Sequence, residues 1–536
     1  MAGIPFNSVY VAIAVYTTIK SNGFGSFFLL SIIASLTRVF YNLVLYPDFF
    51  SSIKHIPSPS RRSWLTGNTT ALITENPFEE MRVWLDEVPN DGLIRYYITG
   101  NMERILLTRP KALSELLVQK VYDFPKPEFI RGRLAPITGP TGLLLVEGDE
   151  HKKQRKNLMP AFAYRHIKNL YPVFWSKSTE MAIRIEKELQ SRADPEDNVI
   201  QVGAWAARTT LDIIGVAGMD NDFNSLQDPD NHLTKTYHKV LADLPLYFKI
   251  VFVFGMIIGI PNLALTMPFK INRETRESSE VIRNVARQMI RQKKEKLENK
   301  SAQNSVDIVS VALESGTFTE EELVDQMMTF LGAGHETTST ALQWAMYRIA
   351  KHPDMQARLR DEVRTHLPPI TTEDPQPVSA ATLDSLPYLN AFCNETLRFH
   401  PSVPATVRVA ACDTTIVGQH IPKGTLFMVA PEVVNRSKDL WGADADEFNP
   451  ERWLAPGRAN TGGATSNYGL LTFIHGPRSC IGQGFAKAEL ACMVATLVGK
   501  FEMELKDPDA KLQVRLGATV CPKDGVVARF TPVKGW

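Results

Sequence analysis

Phe473-Ile474-His475-Gly476-Pro477-Arg478-Ser479-Cys480-Ile481-Gly482, near the C-terminus of this 536-residue chain, sets one cysteine between glycines with an arginine two residues before it. Glycine lets backbone N–H groups approach a neighbour without a Cβ in the way. Such donors, together with positive charge, keep a buried cysteine deprotonated. An axial ligand of haem iron needs that thiolate state. The fixed positions F-x-x-G-x-R-x-C-x-G arise by chance in a chain of this length with a probability on the order of 10⁻⁴ at average residue usage. The stretch is therefore read as a haem-thiolate loop, in which Arg478 neutralises a haem propionate and Phe473 walls the proximal side. Burial as a structural cysteine is the common fate of a free thiol, but it does not explain the spacing. His475 falls at a variable position of the pattern, where packing or surface is the simpler role.

Composition sets the outer bounds. A chain with 44% apolar residues can bury a large core, and no repeat or low-complexity tract after residue 60 divides it. One large catalytic domain is expected. A formal net charge of +1 argues against a nucleic-acid partner. Cys393, Cys412, Cys480, Cys492 and Cys521 are odd in number and widely spaced, so they form neither a disulfide framework nor a C-x-x-C metal site.

The N-terminus differs in kind. Residues 4–19 are uncharged and largely apolar, and 24–46 are apolar again apart from Thr37, Arg38 and Asn42. A spanning helix needs about 20 apolar residues, which the second run supplies and the first does not. There is no basic region before the first run and no small-x-small site after it, so a retained anchor is preferred to a cleaved signal. One span and two spans both remain open. Lys54, Arg61 and Arg62 follow and place the large domain in the cytosol. The expected division is an anchor over residues 1–47, a proline-containing hinge over 48–62 around Pro57 and Pro59, and the catalytic domain over 63–536. Residues 250–260 form the longest later apolar run. Pro245, Lys249 and Pro261 disqualify its surroundings as a membrane span, leaving a lipophilic lid or plain core burial as its two readings.

Residues 321–351 have the spacing and composition of a long helix, interrupted by Gly332-Ala333-Gly334-His335-Glu336-Thr337-Thr338. Two glycines and paired threonines weaken a helix. A buried acid beside a hydroxyl at that point predicts a local opening for dioxygen and water. The competing reading is that the threonines only bond back to the preceding turn.

The cysteine loop matches the ligand loop of the cytochrome P450 monooxygenases at every fixed position, and residues 332–338 resemble that family's [AG]-G-x-[DE]-T-[ST] motif. The resemblance covers residues 55–530 and implies a mostly α fold with a small β-rich region, a helical prism enclosing haem behind the membrane anchor. It implies that Glu336 passes protons inward, that Thr337 is the alcohol holding the hydrogen-bond network of the iron-bound oxygen, and that Ala333 and Gly334 leave room above the iron. Glu395, Arg398 and Arg452 resemble the family's buried charged triad, with Trp453 where phenylalanine is usual. Arg408 and Arg155 resemble the arginines that join Arg478 on the haem propionates. His151 stands where many members carry tryptophan.

These resemblances imply a monooxygenase that uses haem b, with Cys480 as the iron ligand, and inserts one oxygen atom from O2 into a lipophilic small molecule in secondary-metabolite biosynthesis. Electrons from NADPH arrive through a separate cytochrome P450 reductase, with cytochrome b5 as a further partner. Lys152, Lys153 and Lys156 suit such an acidic partner. The expected location is the endoplasmic reticulum membrane with the catalytic domain facing the cytosol. The alternatives are a haem-thiolate isomerase or dehydratase working without O2, against which the intact Glu336-Thr337 pair argues, and a non-catalytic haem-binding membrane protein.

Overall fold

The structure is a computed structural model that describes residues 29–536 except 31, 35, 38–39, 64–65, 70–76, 195–196, 242–243, 300–306 and 371–375. The apolar run at residues 4–19 and the start of the run at 24–46 lie outside the described residues. The chain divides into two compact units: residues 1–132, 244–272 and 405–433, and residues 133–243, 273–404 and 434–536.

The first unit is built on a four-stranded sheet ordered Leu93–Ile98, Met102–Leu107, Leu426–Val429, Thr406–Val409. The first pair is an antiparallel hairpin, turned through Gly100 (φ 81°) and Asn101 (φ 48°). The second pairing is parallel and the third antiparallel. Strand side chains alternate between faces, so Ile94, Tyr96 and Leu106 meet Phe78, Met81 and Trp84 of the helix Pro77–Glu87 in one apolar cluster. Pro57, in the expected hinge, is tied to this sheet: its carbonyl accepts from Arg95 N at 2.8 Å.

The described part of the 24–46 run coils helically and leads into a wider-wound helix, Tyr41–Phe50, that contains Pro47. Among the described residues no helix is long and apolar enough to cross a membrane. The expected lid is the helix Leu246–Ile258, closed by Gly259 at φ 81°. It leaves Leu246, Tyr247, Ile250 and Phe254 exposed, while Ile257 and Leu43 both lie beside Gly100. Simple core burial therefore does not describe this helix.

The second unit holds the main core. Its central helix, Glu320–Lys351, is 32 residues long and spans about 48 Å. A capping box starts it: Thr319 Oγ1 accepts from Glu322 N, and the Glu322 carboxylate accepts from Thr319 N. Helices Tyr171–Ser191, Val202–Ile213 and Gln483–Lys500 share one apolar cluster with it. The helix expected at 321–351 falls where its spacing put it. Beside them lies a sheet ordered Val199–Gln201, Val527–Pro532, Phe501–Leu505.

Candidate active site

The cysteine loop is held by its own backbone. Cys480 N donates to Phe473 O at 2.8 Å and Ser479 N to Gly476 O at 3.0 Å. Gly476 sits at φ 80°, a conformation L side chains rarely adopt. Ile474 adopts φ 57°, a strained setting for a β-branched residue. His475 Nε2 meets Asn467 O at 2.8 Å, and its ring packs on Tyr468. That ring is turned onto the loop's own flank.

Arg155 donates from Nη1 to Ser479 O (2.7 Å) and from Nη2 to Ser479 Oγ (3.1 Å). It thus grips the residue preceding the cysteine. His151 stands four residues earlier on the same helix, Gly148–Leu158, and is buried; positions i and i+4 share a face. Arg478 pairs with Glu147 and donates to Val146 O at 3.0 Å. Arg155, Arg478, His151, Phe473 and Cys480 thus belong to the second unit. Arg408 belongs to the sheet of the first, where its Nη1 donates to Thr406 Oγ1 (2.7 Å) and Val407 O (3.0 Å).

Beneath the loop lies a buried charge network. Glu395 accepts from Arg398 Nε and Nη2, both at 2.8 Å, and from Arg452 Nε at 3.1 Å. It also accepts from Asn449 N at 2.8 Å and Trp453 Nε1 at 3.0 Å. Trp453 therefore adds a donor that phenylalanine lacks. Arg398 spends its other donors on the carbonyls of Asn435, Ala445 and Glu447. Asn435 then carries the order forward, accepting from Leu471 N (2.7 Å) and donating to Thr472 Oγ1 (2.9 Å). Phe473 follows directly. Every member of the charged group has partners, the condition under which buried charge is tolerated.

The central helix runs unbroken through residues 332–338, so the predicted local opening is not a break in the helix. Gly332 lies against Ile137 and Tyr237. A Cβ on Gly334 would come within 2.9 Å of Ile214 Cγ1. Close packing thus offsets the roughly 1 kcal/mol that each mid-helix glycine costs. What opens is one side: Ala333 is exposed, although most of the helix before and after it is buried. Gly334's bare position is turned instead to Ile214.

Thr337 Oγ1 bonds back to Ala333 O at 2.9 Å, and its carbonyl accepts from Ser402 Oγ at 2.7 Å. Glu336 Oε1 accepts from Thr519 Oγ1 at 2.8 Å. Sequence reading missed that Ser402 and Thr519 clip these two motif residues. No local pattern marks a partner 183 positions away. It also missed Glu489, a buried acid on the helix after Cys480 that lies beside Thr338.

The residues fit a haem. Cys480 is reached by solvent-sized space even though burial is the largest influence on its thiol and pushes it up, with the Gly482 N–H and Arg155 pulling it back. Those two are the stabilising groups a thiolate ligand requires. Phe162 joins the two faces: its ring lies 5.3 Å from that of Phe330 on the central helix, and a Cβ on Gly482 would meet it at 3.8 Å. Phe162 thus links the end of the cysteine loop to the central helix three residues before the uncovered Ala333.

A family model described as cytochrome P450 matches residues 57–527. Over 502 residues the chain is 57% identical to the cytochrome P450 monooxygenase sphH of Aspergillus fumigatus, covering 94% of this chain and 92% of that protein. It is 41% identical to the monooxygenase FSL4 of Gibberella zeae, with 93% and 92% covered, and 38% identical to FUM15 of Gibberella moniliformis, with 95% of each covered. Such proteins use haem with a cysteine thiolate ligand, act on small molecules and take electrons from NAD(P)H through a reductase. With its cysteine loop, charge network and uncovered central helix in place, the chain belongs to the cytochrome P450 family and is a haem-thiolate monooxygenase.

Proposed function

We propose that Cys480 is the haem ligand and that Glu336 and Thr337 handle protons on the opposite side. The observation that carries this is the setting of Cys480, where the Gly482 N–H and Arg155 counter the burial of the sulfur. Bound haem supplies the oxygen-activating chemistry, and a thiolate ligand favours O–O cleavage. Everything else falls to the chain. Arg155 and Arg478, with His151, would hold the propionates. Phe473 walls the proximal side, and Ala333 leaves the distal side open. Thr519 orients the Glu336 carboxyl, and the Thr337 hydroxyl turns from the Ala333 carbonyl to pass a proton on.

The substrate is lipophilic and the setting is fungal secondary metabolism, by likeness to the fungal monooxygenases. Residues 1–47 anchor the chain in the endoplasmic reticulum membrane, 48–62 form the hinge, and 63–536 work on the cytosolic side. The apolar run at 24–46, the basic residues after it and the exposed Leu246, Tyr247, Ile250 and Phe254 support that reading. The exposed Lys153 and Lys156 offer NADPH-cytochrome P450 reductase, and cytochrome b5, a basic docking face.

The test is the reduced carbon monoxide difference spectrum of the full-length chain. A Soret band at the thiolate position is expected, and it is lost in Cys480→Ala. A band that survives this change would overturn the ligand assignment. NADPH and O2 consumption with the reductase, accompanied by oxygenated product, distinguishes oxygenation from isomerisation.

A further inference from the structure

The helix Glu128–Thr138 ends against the central helix. Ile137 lies where a Cβ on Gly332 would meet its Cγ2 at 3.5 Å, and Thr329 Oγ1 donates to Thr138 O at 2.5 Å. Four residues before Ile137, on the same helical face and about 6 Å farther along the axis, stands Arg133. That face approaches Gly332, and the next residue is the uncovered Ala333. Arg133 is half-buried. Burial holds its guanidinium below the usual arginine range, and no acid offsets the effect.

The other buried arginines of this unit have protein acceptors: Arg398 and Arg452 bond Glu395, and Arg478 pairs with Glu147. Among the described residues the Arg133 guanidinium has neither an ion pair nor a hydrogen bond. The acids of the facing helix are engaged elsewhere. Asp325 is held by Arg283 at 2.8 Å and by Thr141 N and Oγ1 at 2.8 and 2.7 Å. Glu336 takes the hydroxyl of Thr519. A guanidinium partly withdrawn from water, with no protein carboxylate to answer it, is a costly arrangement unless something else supplies the charge.

We propose that Arg133 is a specificity-determining residue that binds a carboxylate on an otherwise apolar substrate. Its planar fork suits bidentate carboxylate binding, and the uncovered Ala333, next to the Gly332 that this helix packs against, receives an aliphatic chain. The inference rests on the monooxygenase reading and narrows its substrate class to lipophilic acids. Anchoring the acid group fixes which part of the chain reaches the space beside Ala333.

The test compares dodecanoic acid with its methyl ester on the haem-loaded, full-length chain. Equilibrium dialysis measures binding, and the Soret shift reports arrival near the haem. The expected result is binding of the acid about tenfold tighter than the ester, as for a hydrogen-bonded charge pair. That preference falls to near unity in Arg133→Gln and is partly kept in Arg133→Lys, with haem content unchanged in both. Equal binding of acid and ester by the unaltered chain overturns the proposal, a result that needs no variant to fold. So does an acid preference that persists in Arg133→Gln, or haem loss in both variants, which would place Arg133 on the cofactor instead. A normal thiolate spectrum without acid preference defeats this inference alone. Absence of that spectrum defeats the reading beneath it.

Discussion

The cysteine loop and the Ala333-to-Thr338 stretch are equally legible as motifs, yet they are held in opposite ways. The loop is over-determined. Backbone bonds close it, Arg155 grips Ser479, and the Glu395 network reaches it through Asn435 and Thr472. The helical stretch takes single hydroxyl contacts from Ser402, Thr519 and Thr210, and Thr337 bonds its own helix. A thiolate ligand must not move, whereas groups that pass protons must exchange partners. Substitutions beneath the loop should therefore cost the fold, and substitutions in the stretch should cost chemistry.

The largest effect is expected beneath the loop. Glu395→Ala strands Arg398 without a carboxylate in a fully buried site and leaves Arg452 only Asp444, a change that costs about 3 to 5 kcal/mol. Thermal unfolding and haem content of the purified protein check it, and stable, haem-loaded Glu395→Ala would break the contrast. Trp453→Phe removes one donor to the same carboxylate and leaves the others. A loss of about 1.5 kcal/mol, typical of a hydrogen bond to a charged group, is expected with haem retained.

A smaller effect is expected where the two halves meet. Glu489, on the helix that follows the cysteine, is fully buried beside Thr338, and burial raises its carboxyl well above the usual range. The folded chain therefore keeps a proton that the unfolded chain releases above about pH 4.3. Between those two values the folded state binds more protons, so stability falls as pH rises. Glu489→Gln abolishes this slope. It should match the unaltered chain near pH 4 and exceed it at pH 7, by on the order of 1 kcal/mol. Denaturant midpoints across that pH range read the difference, and parallel curves would show that Glu489 is ionised inside the fold.

Sequence made the skeleton of this site visible because each motif residue carries its chemistry within a short window. The glycines of the cysteine loop, the i and i+3 spacing of Glu395 and Arg398, and the periodicity of residues 321–351 are local facts, and the structure places them as helices and a tight loop. The rest depends on what folding brings together. Thr519 reaches Glu336 across the chain, Glu147 meets Arg478, and Ile214 fills the place opposite Gly334, a glycine that the motif alone assigned to space above the iron. The weak point in the central helix was visible too, but its expression was not. Packing by Ile137, Tyr237 and Ile214 keeps the helix continuous, so the opening is a bare face rather than a break.

Thr337→Ala isolates the chemical half of the contrast and should have the smallest effect on the fold. Its hydroxyl bonds only within its own helix, to Ala333 O. Such back-bonding contributes little to helix stability, and a shift within about 0.5 kcal/mol is expected. The consequence should appear in coupling: with reductase and NADPH, electrons continue to be consumed while hydrogen peroxide rises at the expense of oxygenated product. The peroxide-to-product ratio reads this directly, and the Soret band at the thiolate position should be unchanged because the cysteine loop is untouched. A fully coupled Thr337→Ala enzyme would mean that the proton reaches its target without this hydroxyl. Since Glu336 is held by Thr519 rather than by Thr337, the same measurement on Thr519→Val then asks whether the acid's orientation, and not the neighbouring alcohol, sets the coupling.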